Sequence, residues 1–299
     1  MKYKIVTDRE DFDEFEDTET REAIFDTETG QQISKWWQYI YKEGLVEGRS
    51  EYYRAVRIKE IEDDIVGFDE VRQEAIFHKD NPDKPVTKWW NEIQAQHLLN
   101  GKSKYYIAQN YTKQAVFDIA NKKEPVSKWW YQIKVDEPIE KTGYYIVSNG
   151  QQQEAIVLLE KPDEPVSQWW KKINTIDHPY IILTDAKNNV CISHIDNPDT
   201  SITGEWHRYI IDYERYGDTK CFTTYNIDTT CSMYLIDAHK NIQPIVHRSL
   251  NLIKILALTQ DYVFYVQDPW KMKITEQKKV CMYDIHTAQE TILYTTPVD

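Results

Sequence analysis

The chain has 299 residues, of which 41% are hydrophobic and 13% aromatic, so it carries enough apolar side chains for a packed core. Glycine and proline are scarce, which excludes a disordered or low-complexity protein. The formal net charge of -13 argues against direct binding of nucleic acid, and no apolar stretch is long enough to predict a membrane span or a signal peptide. We therefore expect a cytoplasmic protein.

The acidic residues are concentrated in two short segments. Residues 8–28 hold eleven acidic and two basic side chains, and residues 59–70 hold six acidic and one basic. The remaining chain is close to neutral. The charge is therefore a local feature of the N-terminal third and indicates a surface that attracts basic partners.

Four segments repeat one pattern, in which an alanine-containing apolar run is followed by a polar loop and a Trp-Trp pair. The distance from the alanine to the first Trp is 13, 14, 14 and 14 residues. A spacing this constant indicates duplication. The pairs are Trp36-Trp37, Trp89-Trp90, Trp129-Trp130 and Trp169-Trp170.

In chain order, each copy begins with a run rich in Tyr, Ile and Val, such as YYIAQN, that predicts a strand. The alanine-containing run predicts a second strand, and turn-like residues between the two predict a β-hairpin. In the first two copies the acidic segments lengthen this join, and their Phe and Ile spacing predicts a short helix in each insert.

After the second strand, the pattern P-V-[ST]-x-W-W-x-x-I predicts a helix of about two turns. The hydroxyl residue before each Trp pair is expected to be its N-cap, and one Trp is expected to pack on its own hairpin while the other packs on a neighbouring copy. The expected N-caps are Ser34, Thr87, Ser127 and Ser167.

The sequence thus predicts an α+β fold, in which five to six ββα repeats span about residues 1–258 and a β-rich segment caps the C-terminus. A fifth copy is degenerate but keeps Thr203 and Trp206, and a sixth retains little beyond Pro244. The predicted boundaries are 1–50 and 51–102, each with an acidic insert, then 103–142, 143–179, 180–216, and 217–299 for the sixth repeat with the cap.

No arrangement of residues predicts a cofactor or metal site. The eight histidines and four cysteines lack zinc spacing, glycine-rich phosphate loops are missing, and the cysteines are expected to be reduced and buried. The carboxylates of the inserts lack the spacing of a calcium loop. Asp268, Glu276 and Lys278 resemble a metal-dependent nuclease triplet, but such a triplet arises readily by chance in a charged chain, so we expect no enzymatic activity.

The leading interpretation is a non-catalytic repeat scaffold that binds a protein partner, with a basic surface, through the acidic inserts. An inhibitor that mimics nucleic-acid charge is the alternative, and a carbohydrate or small-ligand binder using the Trp residues is a third, although recurring Trp pairs more often maintain packing. The expected partner-binding residues are Phe12, Glu14, Phe15, Asp17, Asp63, Asp64 and Phe68.

Overall fold

The computed structural model describes residues 2–10, 19–63, 67–121, 124–269 and 277–296. The side chains of residues 9, 10, 19, 60–63 and 67–69 are not described within these ranges. The chain divides into two compact units, Met1–Gln168 and Trp169–Asp299. Each unit is presented by itself.

The first unit is built from antiparallel strands, and the predicted hairpins are present in it. Within the described residues its strands form one two-stranded and three three-stranded sheets. The sheets are β1 (Tyr3–Glu10) with β2 (Glu19–Asp26); β3 (Tyr39–Ile40), β4 (Tyr52–Asp63) and β5 (Gly67–His78); β6 (Glu92–Gln94), β7 (Tyr105–Asn110) and β8 (Lys113–Asp118); and β9 (Gln132–Lys134), β10 (Tyr144–Ser148) and β11 (Glu154–Leu158).

The predicted Trp-Trp helix is wrong, and with it the α+β class and the ββα repeat. The segment after each hairpin is extended: Trp37 exchanges two main-chain hydrogen bonds with Glu22, at 2.7 and 2.9 Å, and Tyr39 then pairs with Val56 of the next hairpin. The same bridge joins Trp90 to Glu74 and Trp130 to Gln114. We call each such stretch a linking segment.

Physical chemistry explains why the linking segments are extended. An isolated helix of two turns is marginal in water, whereas Trp, Val, Ile and Tyr favour strands. Pairing with one hairpin and then with the next also satisfies main-chain groups that an exposed short helix would leave at its ends. In the part of the chain that the structure describes, the helices are two single turns, α1 (Gln96–Leu99) and α2 (Ile139–Thr142).

The predicted N-cap residues have a different role. The Ser34 hydroxyl accepts a hydrogen bond from the Ile24 main-chain N–H at 2.8 Å and donates to the Lys35 carbonyl at 2.9 Å. The hydroxyl therefore replaces a main-chain acceptor at the edge of β2. The same pair of bonds recurs in the other copies, from Ile76 to Thr87, Val116 to Ser127 and Ile156 to Ser167, each hydroxyl then donating to the next carbonyl.

The short helix predicted in the second acidic insert is also wrong. Strands β4 and β5 are each 12 residues long in total, and both continue into the insert. Their register pairs Ile61 with Asp69 and Asp63 with Gly67. The insert lengthens a hairpin whose base is already fixed, so the ladder of hydrogen bonds continues outward. The helix predicted in the first insert falls mostly on residues 11–18, which lie outside the described residues.

Aromatic side chains join successive hairpins, and the expected packing of the Trp pairs is confirmed. Trp36 lies 6.1 Å from Phe25 of its own hairpin, measured between ring centroids, whereas Trp37 lies 4.9 Å from Phe77 of the next hairpin. Trp37 also contacts Trp89 at 5.5 Å. The second Trp of a pair therefore carries the contact between repeats.

The next interface repeats this arrangement. Trp90 lies 5.3 Å from Phe117 and 5.7 Å from Trp129, and Phe117 stacks on Tyr106 at 5.4 Å. These rings pack around strands whose central alanines, Ala108 and Ala115, are fully buried. Small residues at the centre of each hairpin leave room for the large rings on either side.

The second unit contains longer, mostly continuous sheets. In its described residues, one sheet follows the order β12-β13-β14-β16-β17-β18-β19 with β15 paired to β14, and a second is the meander β20-β21-β22-β23. The strands are β12 (Lys172–Asp177), β13 (Tyr180–Thr184), β14 (Val190–His194), β15 (Asn197–Ser201), β16 (His207–Tyr216), β17 (Thr219–Asn226), β18 (Cys231–Ile236), β19 (Ile242–Ser249), β20 (Leu252–Leu258), β21 (Tyr262–Asp268), β22 (Lys279–Asp284) and β23 (Gln289–Thr295).

The degenerate fifth copy retains part of the repeat geometry. Ile202 donates its N–H to the Ile192 carbonyl at 2.8 Å, as Val126 does to Val116 at 2.7 Å. Trp206 contacts Trp170 at 5.5 Å. The Thr203 hydroxyl lies instead 3.2 Å from Nε2 of His207, so the hydroxyl bond to the strand is not repeated here.

The cysteines pack as small apolar side chains, as the sequence predicts. All four are free thiols and buried. Cys221, Cys231 and Cys281 share one core with Met233 and Tyr265. Burial raises the pKa of each thiol, which keeps it protonated and unreactive.

Replacing Ser127 tests the hydroxyl bridge. Ser127→Ala leaves the buried Val116 N–H without its acceptor, so we expect unfolding in urea to show a loss of about 1–3 kcal/mol. Ser127→Thr is the matched control, because Thr87 makes the same bonds in the second copy. Equal stability of the alanine and threonine variants would show that the hydroxyl bonds contribute nothing.

Replacing Trp90 tests the contact between repeats. Trp90→Ala removes a ring that packs on Phe117 and Trp129, and we expect a loss of about 3 kcal/mol in the free energy of unfolding. Trp90→Phe keeps an aromatic contact and should lose less than half as much. If the two variants are equally stable in chemical denaturation, the ring contacts do not hold these copies together.

Candidate protein-interaction surface

The structure describes the main chain of two of the seven residues that are predicted to bind a partner. Phe12, Glu14, Phe15, Asp17 and Asp64 are outside the described residues. Their role stays a prediction. The other two are placed by the main chain: Asp63 is the last residue of β4 and Phe68 is the second residue of β5.

The hairpin of β4 and β5 is twice as long as its counterpart in the third copy. Both hairpins begin with equivalent pairs, Tyr52 with His78 and Tyr105 with Asp118, but β7 and β8 end after six residues and β4 and β5 after 12. The six additional pairs lengthen the second hairpin by about 20 Å. The added part holds the acidic segment.

The register decides which acidic residues share a face of this hairpin. Glu60 pairs with Glu70, and Glu62 pairs with Phe68. Paired residues, and residues two apart on one strand, have register positions on the same face of an antiparallel sheet. The main-chain register therefore gives these four residues positions on one face of the hairpin.

The first hairpin also contains acidic residues. Strands β1 and β2 pair from Tyr3 with Asp26 to Glu10 with Glu19. Residues 11–18 are outside the described residues, so the placement of the acidic residues among them stays a prediction.

Below the acidic part of the second hairpin lies a network centred on Glu74, whose side chain is 3% exposed. Its Oε2 atom lies 3.2 Å from Nη1 of Arg54, and its Oε1 atom lies 3.2 Å from Nη2 of Arg72. Tyr41 donates its hydroxyl to Oε1 at 2.8 Å, and Ile93 donates its N–H to Oε2 at 3.0 Å. The buried carboxylate is thus fully satisfied.

The arginine of this network also contacts the aromatic ring beside it. The Arg54 guanidinium lies 3.4 Å from the centroid of the Tyr41 ring and donates to the Ile93 carbonyl. Burial raises the pKa of the Tyr41 hydroxyl above its usual range, which keeps the hydroxyl protonated as a donor to Glu74. A charged, hydrogen-bonded base of this kind fixes the direction of the hairpin.

Part of this arrangement is common to the other copies. Glu22 accepts a hydrogen bond from the Ile40 N–H at 2.7 Å, and Gln114 accepts one from the Ile133 N–H at 2.7 Å. The side chain at this position therefore ties a hairpin to the linking segment. A neutral glutamine makes the same hydrogen bond in the third copy, so this bond does not require a charge.

Basic side chains cover the indole faces on which a ligand would have to stack. Arg57 lies 4.2 Å above the Trp89 ring and donates to Oε1 of Gln73 at 3.1 and 2.9 Å. Lys128 lies 4.1 Å above the Trp130 ring. These contacts and the packing between repeats favour a structural role for the Trp pairs over ligand binding.

The sequence did not identify a small cleft beside α1. The cleft has a volume of about 80 Å³, and Gln94, His97, Tyr105, Val135 and Ile139 are among its lining residues. A drug-sized ligand requires about 300–1,000 Å³. The cleft is therefore suited to a few water molecules.

One group of potential metal ligands is present in the described ranges. Atoms of Glu51, His78 and Asp80 lie within 4.8 Å of one another. The ammonium group of Lys79 lies 3.3 Å from Glu51 and 2.9 Å from Asp80, and it lowers the pKa of Asp80. The carboxylates thus have a cationic partner in the chain itself, and these contacts form an exposed ion-pair cluster.

The C-terminal triplet is brought together only in part. Lys278 and Asp268 form an exposed ion pair at 3.0 Å, and Glu276 lies outside the described residues. An exposed pair of this kind explains the proximity of the two residues without any catalytic role. Separately, none of the helices in the described ranges has the length and apolar character needed to cross a lipid bilayer.

Comparison with known proteins gives no family. No protein-family model and no curated protein matches the chain. Among solved structures, it is similar to Hsv2 of Kluyveromyces lactis, at 9% identity over 94% of each chain with a TM-score of 0.35. It is also similar to the β-propeller domain of the Trilobed protease of Pyrococcus furiosus, at 11% identity over 100% of this chain and 96% of that one with a TM-score of 0.33. Likenesses at these scores assign neither a family nor an activity.

Exchanging the network of the second copy for that of the third tests its role. Arg54→Ile leaves the buried Glu74 carboxylate short of a cationic partner, and we expect a loss of about 3 kcal/mol in the free energy of unfolding. Ile107 and Gln114 occupy the equivalent positions in the third copy. The double variant Arg54→Ile/Glu74→Gln should therefore recover most of the loss, measured by urea denaturation. A double variant as unstable as the single one would contradict this account.

Proposed function

We propose that this protein is a non-catalytic scaffold that binds a protein partner with a basic surface. The acidic end of the β4–β5 hairpin, with the acidic segment of the first hairpin, forms the binding surface. The observation that carries the proposal is the lengthened second hairpin, whose register sets Glu60, Glu62 and Glu70 on one face with Phe68. Carboxylates around an aromatic residue combine charge attraction with an apolar anchor.

The rest of the first unit supports this function. The Glu74 network holds the base of the hairpin through Arg54 and Arg72, so the acidic end is presented from a fixed support. A preorganised surface loses less conformational entropy on binding than a mobile segment does.

Neutralising the hairpin tests the proposal. We expect affinity purification from the host extract to recover a basic protein with the wild-type chain and at least tenfold less of it with a variant that removes three charges from one face. A tenfold loss corresponds to about 1.4 kcal/mol. The variant is Glu60→Gln/Glu62→Gln/Glu70→Gln.

The matched control removes three exposed charges from outside the acidic segments, with the same change in net charge. It should retain the partner at the wild-type level. Equal recovery with both variants would exclude the acidic hairpin as the binding surface. The control is Asp136→Asn/Glu160→Gln/Glu164→Gln.

A salt titration then separates an anchored interface from mimicry of nucleic-acid charge. Mimicry requires affinity to fall steeply with ionic strength and to survive Phe68→Ala. The proposed interface requires most of the affinity to persist in salt and to be lost in Phe68→Ala.

A further inference from the structure

In the ranges that the structure describes, the first hairpin has no linking strand paired to it, unlike the other hairpins of the first unit. Strands β4, β7 and β10 each lie between a hairpin partner and a linking strand, namely β3, β6 and β9. Among the residues that the structure describes, β1 pairs with β2 alone. The outer edge of β1 thus corresponds to an edge that is filled in every following copy of this unit.

The register identifies the main-chain groups at this edge. Val6 pairs with Ala23 as Ala55 pairs with Ala75, so Thr7 corresponds to Val56. The Val56 carbonyl accepts a hydrogen bond from the Gln38 N–H of its linking segment at 3.2 Å. In an antiparallel strand, the N–H and C=O of one residue point to the same side, so those of Thr7 point away from β2.

The same acceptor is used again further along the chain. Gln109 accepts from the Asn91 N–H at 3.1 Å, and in the second unit Thr184 accepts from the Lys171 N–H at 3.0 Å. The position of Thr7 is therefore one at which this fold repeatedly binds an extended segment.

The central residues of β1 are more exposed than their counterparts in the other hairpins. Ala55, Ala108 and Val147, at the centres of β4, β7 and β10, are all 0% exposed. Their counterpart Val6 is only half-buried, as is Ile5 beside it, although Ile146 at the position of Ile5 is 2% exposed. The apolar residues of β1 thus remain partly open where a linking strand covers those of the other hairpins.

The linking segments also specify the chemistry of an occupant. Each places an isoleucine in the core, namely Ile40, Ile93 and Ile133, which are 1, 0 and 2% exposed. An added strand that runs antiparallel to β1 lies with its amino-terminal part beside Asp8 and Glu10, where the acidic segment begins. Because residues 8–19 contain eight acidic residues and one basic residue, we expect that part to be basic or neutral.

We propose that the outer edge of β1 binds an extended segment of the protein partner by strand addition, with Ile or Val at its centre and basic residues on its amino-terminal side. This inference rests on the proposed function and names the part of the partner that is bound. Main-chain hydrogen bonds at Tyr3, Ile5 and Thr7 supply the affinity. The half-buried Val6, whose counterpart Ala55 pairs with Ile40, selects the apolar side chain.

The test uses the full chain and a labelled peptide with the sequence of residues 128–134, Lys-Trp-Trp-Tyr-Gln-Ile-Lys, in fluorescence anisotropy. We expect saturable binding to the wild type. Thr7→Pro removes an outward N–H but no bond to β2, and proline is tolerated at a sheet edge, so affinity should fall at least tenfold. Thr7→Val, the matched control, should change it less than twofold.

Two peptide controls require no change in the protein. A scrambled peptide of the same composition and a peptide N-methylated at its isoleucine should each bind at least tenfold more weakly. Equal binding of the scrambled peptide, or undiminished binding to Thr7→Pro, would overturn the proposal. A concentration-dependent rise in mass of the wild type that Thr7→Pro abolishes would assign the edge to a second copy and would also overturn it.

The host partner distinguishes this inference from the proposed function. Loss of the partner in both the hairpin triple variant and Thr7→Pro supports both. Loss in the triple variant with full retention by Thr7→Pro overturns strand addition and leaves the acidic surface intact. Retention by both variants overturns both.

Discussion

The main-chain pairing of each linking segment with two hairpins is the constraint on which the first unit depends. Trp37 bonds to Glu22 of one hairpin, and two residues later Tyr39 pairs with Val56 of the next. Such a segment is not helical, because its main-chain N–H and C=O groups bond to the two hairpins and not to each other. Trp37 is itself the first attachment point, and its ring packs on the following hairpin while the ring of Trp36 packs on its own hairpin.

Two kinds of side-chain hydrogen-bond acceptor hold the linking segment in this arrangement. A hydroxyl such as Ser127 supplies the acceptor where the segment leaves the strand edge, and a carboxylate or amide such as Gln114 supplies the acceptor where it joins the next sheet. Both lie in the interior, where an unsatisfied N–H is costly. The second copy adds Arg54 and Arg72 to this plan, which balances the charge of Glu74 and strengthens the base of a hairpin that has been lengthened.

The same plan makes the proposed surface possible. An insertion at the turn of a hairpin leaves the paired base unchanged, so the acidic residues of β4 and β5 extend the ladder without disturbing the core. The outer edge of β1 is the other place where the pattern differs, because among the described residues β1 pairs with β2 alone. In the function that we propose, the acidic end of the second hairpin and the edge of β1 bind the same basic partner.

The sequence predicted the repeats, the hairpins and the buried thiols, because duplication and apolar spacing leave a local signal. It also predicted that one Trp of each pair packs on its own hairpin and the other on a neighbouring copy. The helix in the Trp-Trp segment could not be excluded, since Trp36, Trp37 and Ile40 form an apolar stripe at helical spacing and also suit a strand. Only the neighbouring hairpins, which offer two edges to the same segment, decide between them. Likewise the acidic composition was evident, but the pairing of Glu62 with Phe68 depends on a register set by the base of the sheet. Local pattern thus determined the repeating unit, and hydrogen bonding between units decided its shape.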